Sequence, residues 1–108
     1  MGDTSIGLKE NIAGLLCYAL GWITGLVFFL IEKENKFVRF HALQSLITFG
    51  VLTIAFLILP YIPGVGGILG WILRIIMLVL WILLMIKAFQ GEKFKVPVVG
   101  DIAEKKVG

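Results

Sequence analysis

The feature that most constrains this chain is a pair of long stretches without a charged residue, residues 12–31 and 42–73. As an α-helix the first would reach about 30 Å, the thickness of the hydrocarbon core of a bilayer. The second is too long for one crossing and is interrupted by Pro60, Pro63 and neighbouring glycines, residue types that end helices. The pattern therefore predicts three transmembrane helices, over about 12–31, 38–59 and 68–89.

The composition excludes the soluble and secreted classes. Hydrophobic residues make up 59% of the 108 residues, with 13 glycines in addition, whereas apolar residues and glycine together make up about 45–50% of a soluble domain. A single cysteine cannot form an internal disulfide, which excludes a disulfide-stapled secreted scaffold. We expect one all-α integral membrane domain over 1–108, with the tail 90–108 at the membrane surface.

The positions of the lysines and arginines predict the orientation. In a three-span protein, the cations of the loop after helix one and those at and after the end of helix three share one side, giving eight, whereas the opposite side has only Lys9. Cationic loops stay in the cytoplasm, so we expect an outer N-terminus and a cytoplasmic tail in a multi-pass protein of the cell membrane. The cations form no dense run, and the expected partner is the lipid bilayer rather than a nucleic acid.

Three glycines of helix one lie at helical spacing. Gly14, Gly21 and Gly25 follow steps of seven and four residues, which would place them on one face of a continuous helix. Small residues at such spacing allow two helix backbones to approach closely in a membrane. We expect a packing groove for a neighbouring helix, the alternative being close approach of a substrate or another subunit.

A polar stripe marks the start of helix two. His41, Gln44, Ser45 and Thr48 lie at i, i+3, i+4 and i+7, which places them on one helix face. An unpaired polar group at this depth costs several kcal/mol, so the stripe needs partners. One interpretation is that it hydrogen-bonds helix one, helix three or the tail. The other is a ligand, partner or proton-handling site, to which Arg39 would add an anion-binding charge.

Helix three contains an intramembrane charge, Arg74. It precedes Lys87 by thirteen residues, about 20 Å along a helix, and therefore lies about 10 Å below the outer interface. Three interpretations are open: the side chain snorkels to the outer headgroups, it pairs with Glu10 or Asn11 at the outer end of helix one, or it selects solutes in a pore.

Residues suited to catalysis are few in this sequence. There is one His and one Cys, and all seven acidic residues fall in predicted loops or tails. No metal-ligand spacing and no phosphate-binding loop can be drawn from them. We expect neither an enzyme nor a cofactor, and we predict no catalytic, cofactor-binding or metal-binding residues.

Two segments resemble a known family. Residues 37–45, after an Asn35-Lys36 turn, and residues 88–102 are similar to the two signatures of the Tic20-like (DUF4870) membrane family. The resemblance implies a small integral membrane fold and, because plastid members belong to the protein import machinery, a role in protein translocation or membrane-complex assembly. We expect an interaction or accessory module with a membrane protein partner or a second copy of itself. The alternative is an oligomeric channel or small-solute transporter with Arg74 and His41 along its path.

Overall fold

A computed structural model describes residues 7, 9–64 and 66–107 of the chain, and this part is helical. The five α-helices of the described part are α1 (Glu10–Ala19), α2 (Trp22–Ile31), α3 (Lys36–Ile58), α4 (Gly66–Phe89) and α5 (Val99–Val107). Helices α3 and α4 are joined by a 3-10 turn, Leu59–Tyr61, and a loop.

The first apolar stretch forms two helices, not one. The break falls at Leu20 and Gly21, where Gly21 has φ +66°, a left-handed conformation that glycine adopts without steric cost. Each of the two helices has ten residues and is about 15 Å long, half the thickness of a bilayer core. The prediction of one continuous helix over 12–31 is therefore not what the structure has.

The contacts of α1 and α2 along α3 show that the two helices form a hairpin. Along α1, a Cβ on Gly14 would lie 3.0 Å from Phe37 near the start of α3, and Gly21 at the turn lies beside Phe49. Along α2 the contacts return towards the start of α3, since Gly25 lies against Ala42 and the Phe29 carbonyl accepts a hydrogen bond from Arg39. Both ends of the hairpin therefore lie beside the first turns of α3. Its turn lies beside Phe49, about twelve residues further along α3.

Two helices of the described part, α3 continued by the 3-10 turn and α4, are long and apolar enough to cross a membrane. They correspond to the predicted second and third helices, whereas the structure provides no third span of that length between residues 9 and 35. The predicted three-span topology, with the N-terminus on the side opposite the tail, has no support in this arrangement. The sequence pattern led to three spans because a stretch of twenty apolar residues has the same length and hydropathy whether it forms one crossing helix or a hairpin that turns at one glycine.

The core lies at the end of the molecule where α1 fits against both α3 and α4. A Cβ on Gly14 would lie 3.3 Å from the Cβ of Ala88, and the indole of Trp81 reaches the Tyr18 carbonyl. The main cluster of buried apolar side chains lies here, namely Ala13, Cys17, Tyr18, Phe28, Val38, Ala42, Phe49, Leu84, Ala88 and Val96. The opposite half of α4 has no buried residue.

The tail folds back over the same end of the bundle. After a non-helical segment to Pro97, α5 packs against α3, and Lys95 Nζ lies 2.6 Å from a carboxylate oxygen of Glu104. That hydrogen bond lowers the pKa of the partly exposed Glu104 carboxyl. Gly100 allows the close turn, since a Cβ there would overlap the side chain of Lys95.

A pair of glycine substitutions tests the hairpin. A Cβ on Gly25 would lie 2.8 Å from the Ala42 carbonyl oxygen and 2.9 Å from the Leu46 nitrogen, whereas a Cβ on Gly70 would meet nothing within 4 Å. We expect Gly25→Ala to lower the free energy of unfolding by about 1–3 kcal/mol, because the α2 and α3 backbones must separate. Gly70→Ala should leave it unchanged or raise it by up to about 1 kcal/mol.

The measurement is thermal unfolding of the two variants and the wild type in one mild detergent. Equal shifts for Gly25→Ala and Gly70→Ala would contradict the close contact between α2 and α3.

Candidate functional site

The polar stripe of α3 is buried beneath α1 and the tail. The helix begins at Lys36, where the side-chain oxygen of Asn35 accepts a hydrogen bond from the Val38 N–H. His41, Gln44 and Ser45 are fully buried. The sequence-predicted residues of this stripe are therefore brought together on one face, and their partners decide what they do.

His41 is held through both ring nitrogens. Its Nδ1 lies 2.6 Å from the Tyr18 hydroxyl, and its Nε2 lies 3.0 Å from the Glu92 carbonyl oxygen. A carbonyl only accepts, so Nε2 carries the hydrogen and Nδ1 accepts the Tyr18 O–H. The network thus assigns a neutral imidazole with both nitrogens satisfied, which ties α1, α3 and the tail together.

Gln44 continues this network into the tail. Its Nε2 donates to the Tyr18 hydroxyl and to the Phe94 carbonyl, both at 2.9 Å, and its Oε1 accepts from the Val96 N–H at 2.8 Å. The amide therefore pairs with the backbone of the extended segment much as a neighbouring strand would. Of the two interpretations from the sequence, these contacts agree with the stripe as a hydrogen-bonded support for helix one and the tail.

Ser45 belongs to a second group, which satisfies the backbone of the hairpin turn. Its Oγ donates to the Gly21 carbonyl at 2.9 Å, Trp81 Nε1 donates to the Tyr18 carbonyl at 2.7 Å, and Thr24 Oγ1 donates to the Cys17 carbonyl at 3.1 Å. A helix that ends leaves carbonyls without intrahelical partners, and inside a membrane these must be paired by protein. The Tyr18 and Gly21 carbonyls also accept a backbone N–H, from Gly21 at 3.0 Å and from Gly25 at 3.3 Å, so the side chains from α2, α3 and α4 add to the pairing of the turn.

Arg39 does not join His41 in an anion-binding patch. Its Nη1 donates to the carbonyls of Phe29 and Glu32, at 3.0 and 2.9 Å, and its guanidinium lies 4.3 Å from the centre of the Phe29 ring. These contacts cap the end of α2, where a cation also complements the helix dipole. The Arg39 guanidinium therefore joins the end of α2 to the first turns of α3.

Sequence reasoning missed Glu32, which is fully buried at the turn between α2 and α3. One of its carboxylate oxygens accepts from the backbone N–H of Glu34 and of Asn35, at 3.0 and 2.9 Å. The available signal was an acidic residue just before the Asn35 cap, a position that suits a carboxylate at a helix start.

The last residue of the stripe, Thr48, differs from the others. It is 5% exposed, and among the described residues its hydroxyl finds no hydrogen-bond partner. The structure therefore gives this hydroxyl no role in the network.

Arg74 lies in the half of α4 that α1 does not cover. Its guanidinium lies 5.6 Å from the Trp71 ring centre. Glu10 and Asn11 begin α1 at the opposite end of the contact, a turn before Gly14, which lies beside Ala88. Of the three interpretations of Arg74, the pairing with Glu10 or Asn11 is therefore not one that the structure brings together, because α1 runs towards Arg74 from the Ala88 end.

The sequence is similar to known proteins over most of its length. A model of the magnetosome magnetite crystal formation protein family (MamF/MmsF) matches residues 6–103. The chain belongs to this family. The predicted Tic20-like (DUF4870) membership was wrong, since both segments that carried it, 37–45 and 88–102, fall inside the matched region.

Two similar proteins come from archaea. A UPF0132 membrane protein of Methanocaldococcus jannaschii is 54% identical over 97% of this chain and 94% of its own length. A UPF0132 membrane protein of Archaeoglobus fulgidus is 48% identical over 94% of this chain and 98% of its own. No solved structure matches the chain. This MamF/MmsF-family chain is thus a small membrane protein.

Gln44 and Thr48 provide a matched test of the network. Gln44→Met removes three hydrogen bonds at similar volume and leaves the Phe94 carbonyl and the Val96 N–H unpaired, which should cost about 1–3 kcal/mol. The tail should then open more often, and trypsin should cut faster after Lys93 and Lys95.

The control for this experiment is Thr48→Val, which removes a hydroxyl without a partner among the described residues and keeps the shape of the side chain. It should leave the free energy of unfolding unchanged or raise it, and it should leave the rate of tryptic cleavage unchanged or lower it. Slower or unchanged cleavage in Gln44→Met would contradict the role of the amide in holding the tail.

Proposed function

We propose that this chain is a two-span membrane module that works by assembling with another membrane helix, as an interaction or accessory part of a membrane complex. In this arrangement α3 and α4 cross the bilayer, and α1 and α2 form a re-entrant hairpin that reaches its middle and returns. The paired carbonyls of the hairpin turn support this placement, because irregular backbone at membrane depth requires partners within the protein.

The charges support one orientation of the two-span module. With the hairpin returning to its starting side, Lys9 joins the cations of residues 33–39 and 87–106, and the Pro-Gly loop at the other end carries none. The positive-inside rule then places both ends of the described chain in the cytoplasm and the loop outside. The two-span topology places Lys9 in the cytoplasm, whereas the three-span prediction placed it outside.

Cysteine labelling distinguishes the two topologies. In a Cys17→Ala background, Tyr61→Cys should react with a membrane-impermeant maleimide in intact cells, because Tyr61 lies in the outer turn. Lys9→Cys and Lys105→Cys should react only after permeabilisation. Labelling of Lys9→Cys in intact cells would contradict the two-span topology and favour three spans.

One observation carries the proposed assembly role: a ridge of β-branched residues along the uncovered side of α4. Its members alternate in steps of four and three and are 44–67% exposed, namely Ile68, Ile72, Ile75, Val79, Ile82 and Ile86. A 3.5-residue repeat of apolar side chains is the pattern of a helix that packs along a neighbour at a shallow left-handed angle. The occupant is a helix of a second copy or of another membrane protein.

Photocrosslinking tests the ridge in native membranes. A photoreactive residue at Ile75 or Val79 should capture one protein neighbour of defined mass, identified as a second copy by the mass of a dimer. The matched control is Ile54, equally exposed on α3 but outside the ridge, which should capture lipid. Lipid adducts alone from all three positions would contradict an assembly role for α4.

A second candidate, an oligomeric channel or small-solute transporter, is favoured by the hairpin itself. Broken helices that meet near the middle of the bilayer line the substrate sites of many transporters, and Arg74 faces a cavity beside the hairpin turn. Solute flux in liposomes that disappears with Arg74→Ala would favour this candidate.

A further inference from the structure

The proposed assembly role does not involve the space between α3 and α4 beyond the hairpin turn. Because the hairpin turns half-way, no chain of the described part fills this region, and a cavity of about 530 Å³ remains. Its walls come from the turn, residues 19–22, from Thr53 of α3, and from Arg74 and Trp81 of α4. The cavity is therefore apolar on most sides, with a guanidinium at its edge.

A second cavity continues from Arg74 towards the loop. It has a volume of about 330 Å³ and is lined by Pro60 and by the start of α4, where Gly67 and Gly70 lie. A Cβ on either glycine would meet nothing within 4 Å, so their missing side chains keep this part of the groove open. Arg74 lines both cavities and stands where they meet.

The charge of Arg74 calls for an anion. Within residues 9–64 and 66–107 no carboxylate lies within ion-pair distance of it, and its guanidinium lies over the Trp71 ring. The residue lies eight positions after Gly66, about 12 Å from the loop end of α4. A guanidinium at such depth costs up to about 3 kcal/mol on insertion scales, and an anion that comes with its own apolar chain would offset this.

We propose that the two cavities bind an anionic phospholipid of the outer leaflet. Its phosphate pairs with Arg74, since a guanidinium matches two phosphate oxygens at once. Its acyl chain lies in the first cavity, against the hairpin turn and Trp81, where a free anion would find apolar walls. The headgroup occupies the second cavity, which opens towards the loop and hence towards the outer interface.

The chain carries its own reporters for this site. All three of its tryptophans line the cavities, Trp22 and Trp81 the first and Trp71 the second. A lipid with brominated acyl chains quenches tryptophan fluorescence on contact. The full chain, reconstituted in zwitterionic bilayers, is titrated with brominated phosphatidylglycerol or, in parallel, with brominated phosphatidylcholine.

For the wild type we expect half-maximal quenching at about a fivefold lower mole fraction of brominated phosphatidylglycerol than of brominated phosphatidylcholine. This ratio corresponds to about 1 kcal/mol, the typical contribution of one cation. Arg74→Gln should abolish the preference, and Arg74→Lys should keep part of it. Lys87→Gln, which removes a cation from the other end of α4, should leave it unchanged. Gly70→Leu should weaken it by filling the second cavity while Arg74 remains.

Equal quenching by the two lipids in the wild type would overturn the proposal. So would a preference that survives both Arg74→Gln and Gly70→Leu, because the lipid would then be held elsewhere. Loss of the preference on adding millimolar inorganic phosphate would also overturn it, by showing a site for a free anion. A failure of Arg74→Gln to fold leaves Gly70→Leu and Arg74→Lys to decide, and none of these results bears on the α4 ridge.

Discussion

The structure depends on how the broken backbone between α1 and α2 finds hydrogen-bond partners. A helix end leaves carbonyls to which water would normally donate hydrogen bonds, and where water is absent these donors must come from the protein. Ser45, Trp81 and Thr24 each donate to one of these carbonyls, so three helices converge on one turn.

The same end of the molecule holds a second polar group with a separate task. Tyr18, His41 and Gln44 hydrogen-bond one another and the tail backbone, which leaves these side chains occupied inside the protein. A group arranged in this way fixes the position of α1 and the tail relative to α3. The far half of α4, which holds Arg74, and the β-branched ridge along the uncovered side of the helix take no part in this network.

Much of this architecture follows from the sequence. The two long helices were predicted from their uncharged stretches, and the helical spacing of His41, Gln44, Ser45 and Thr48 predicted one polar face. The hairpin was not predicted, because ten plus ten apolar residues have the same length and hydropathy as one crossing helix. The difference lies in the φ of Gly21 and in donors that come from distant parts of the chain, such as Trp81.

The most direct test of the account is the distance between the two ends of the hairpin. Spin labels at Ile12 and Ile31, both exposed, report it by pulsed electron resonance in reconstituted bilayers. A continuous helix would separate the two backbone positions by about 28 Å. The hairpin predicts a distribution centred well below that value, and a single narrow distribution at about 28 Å or beyond would contradict it.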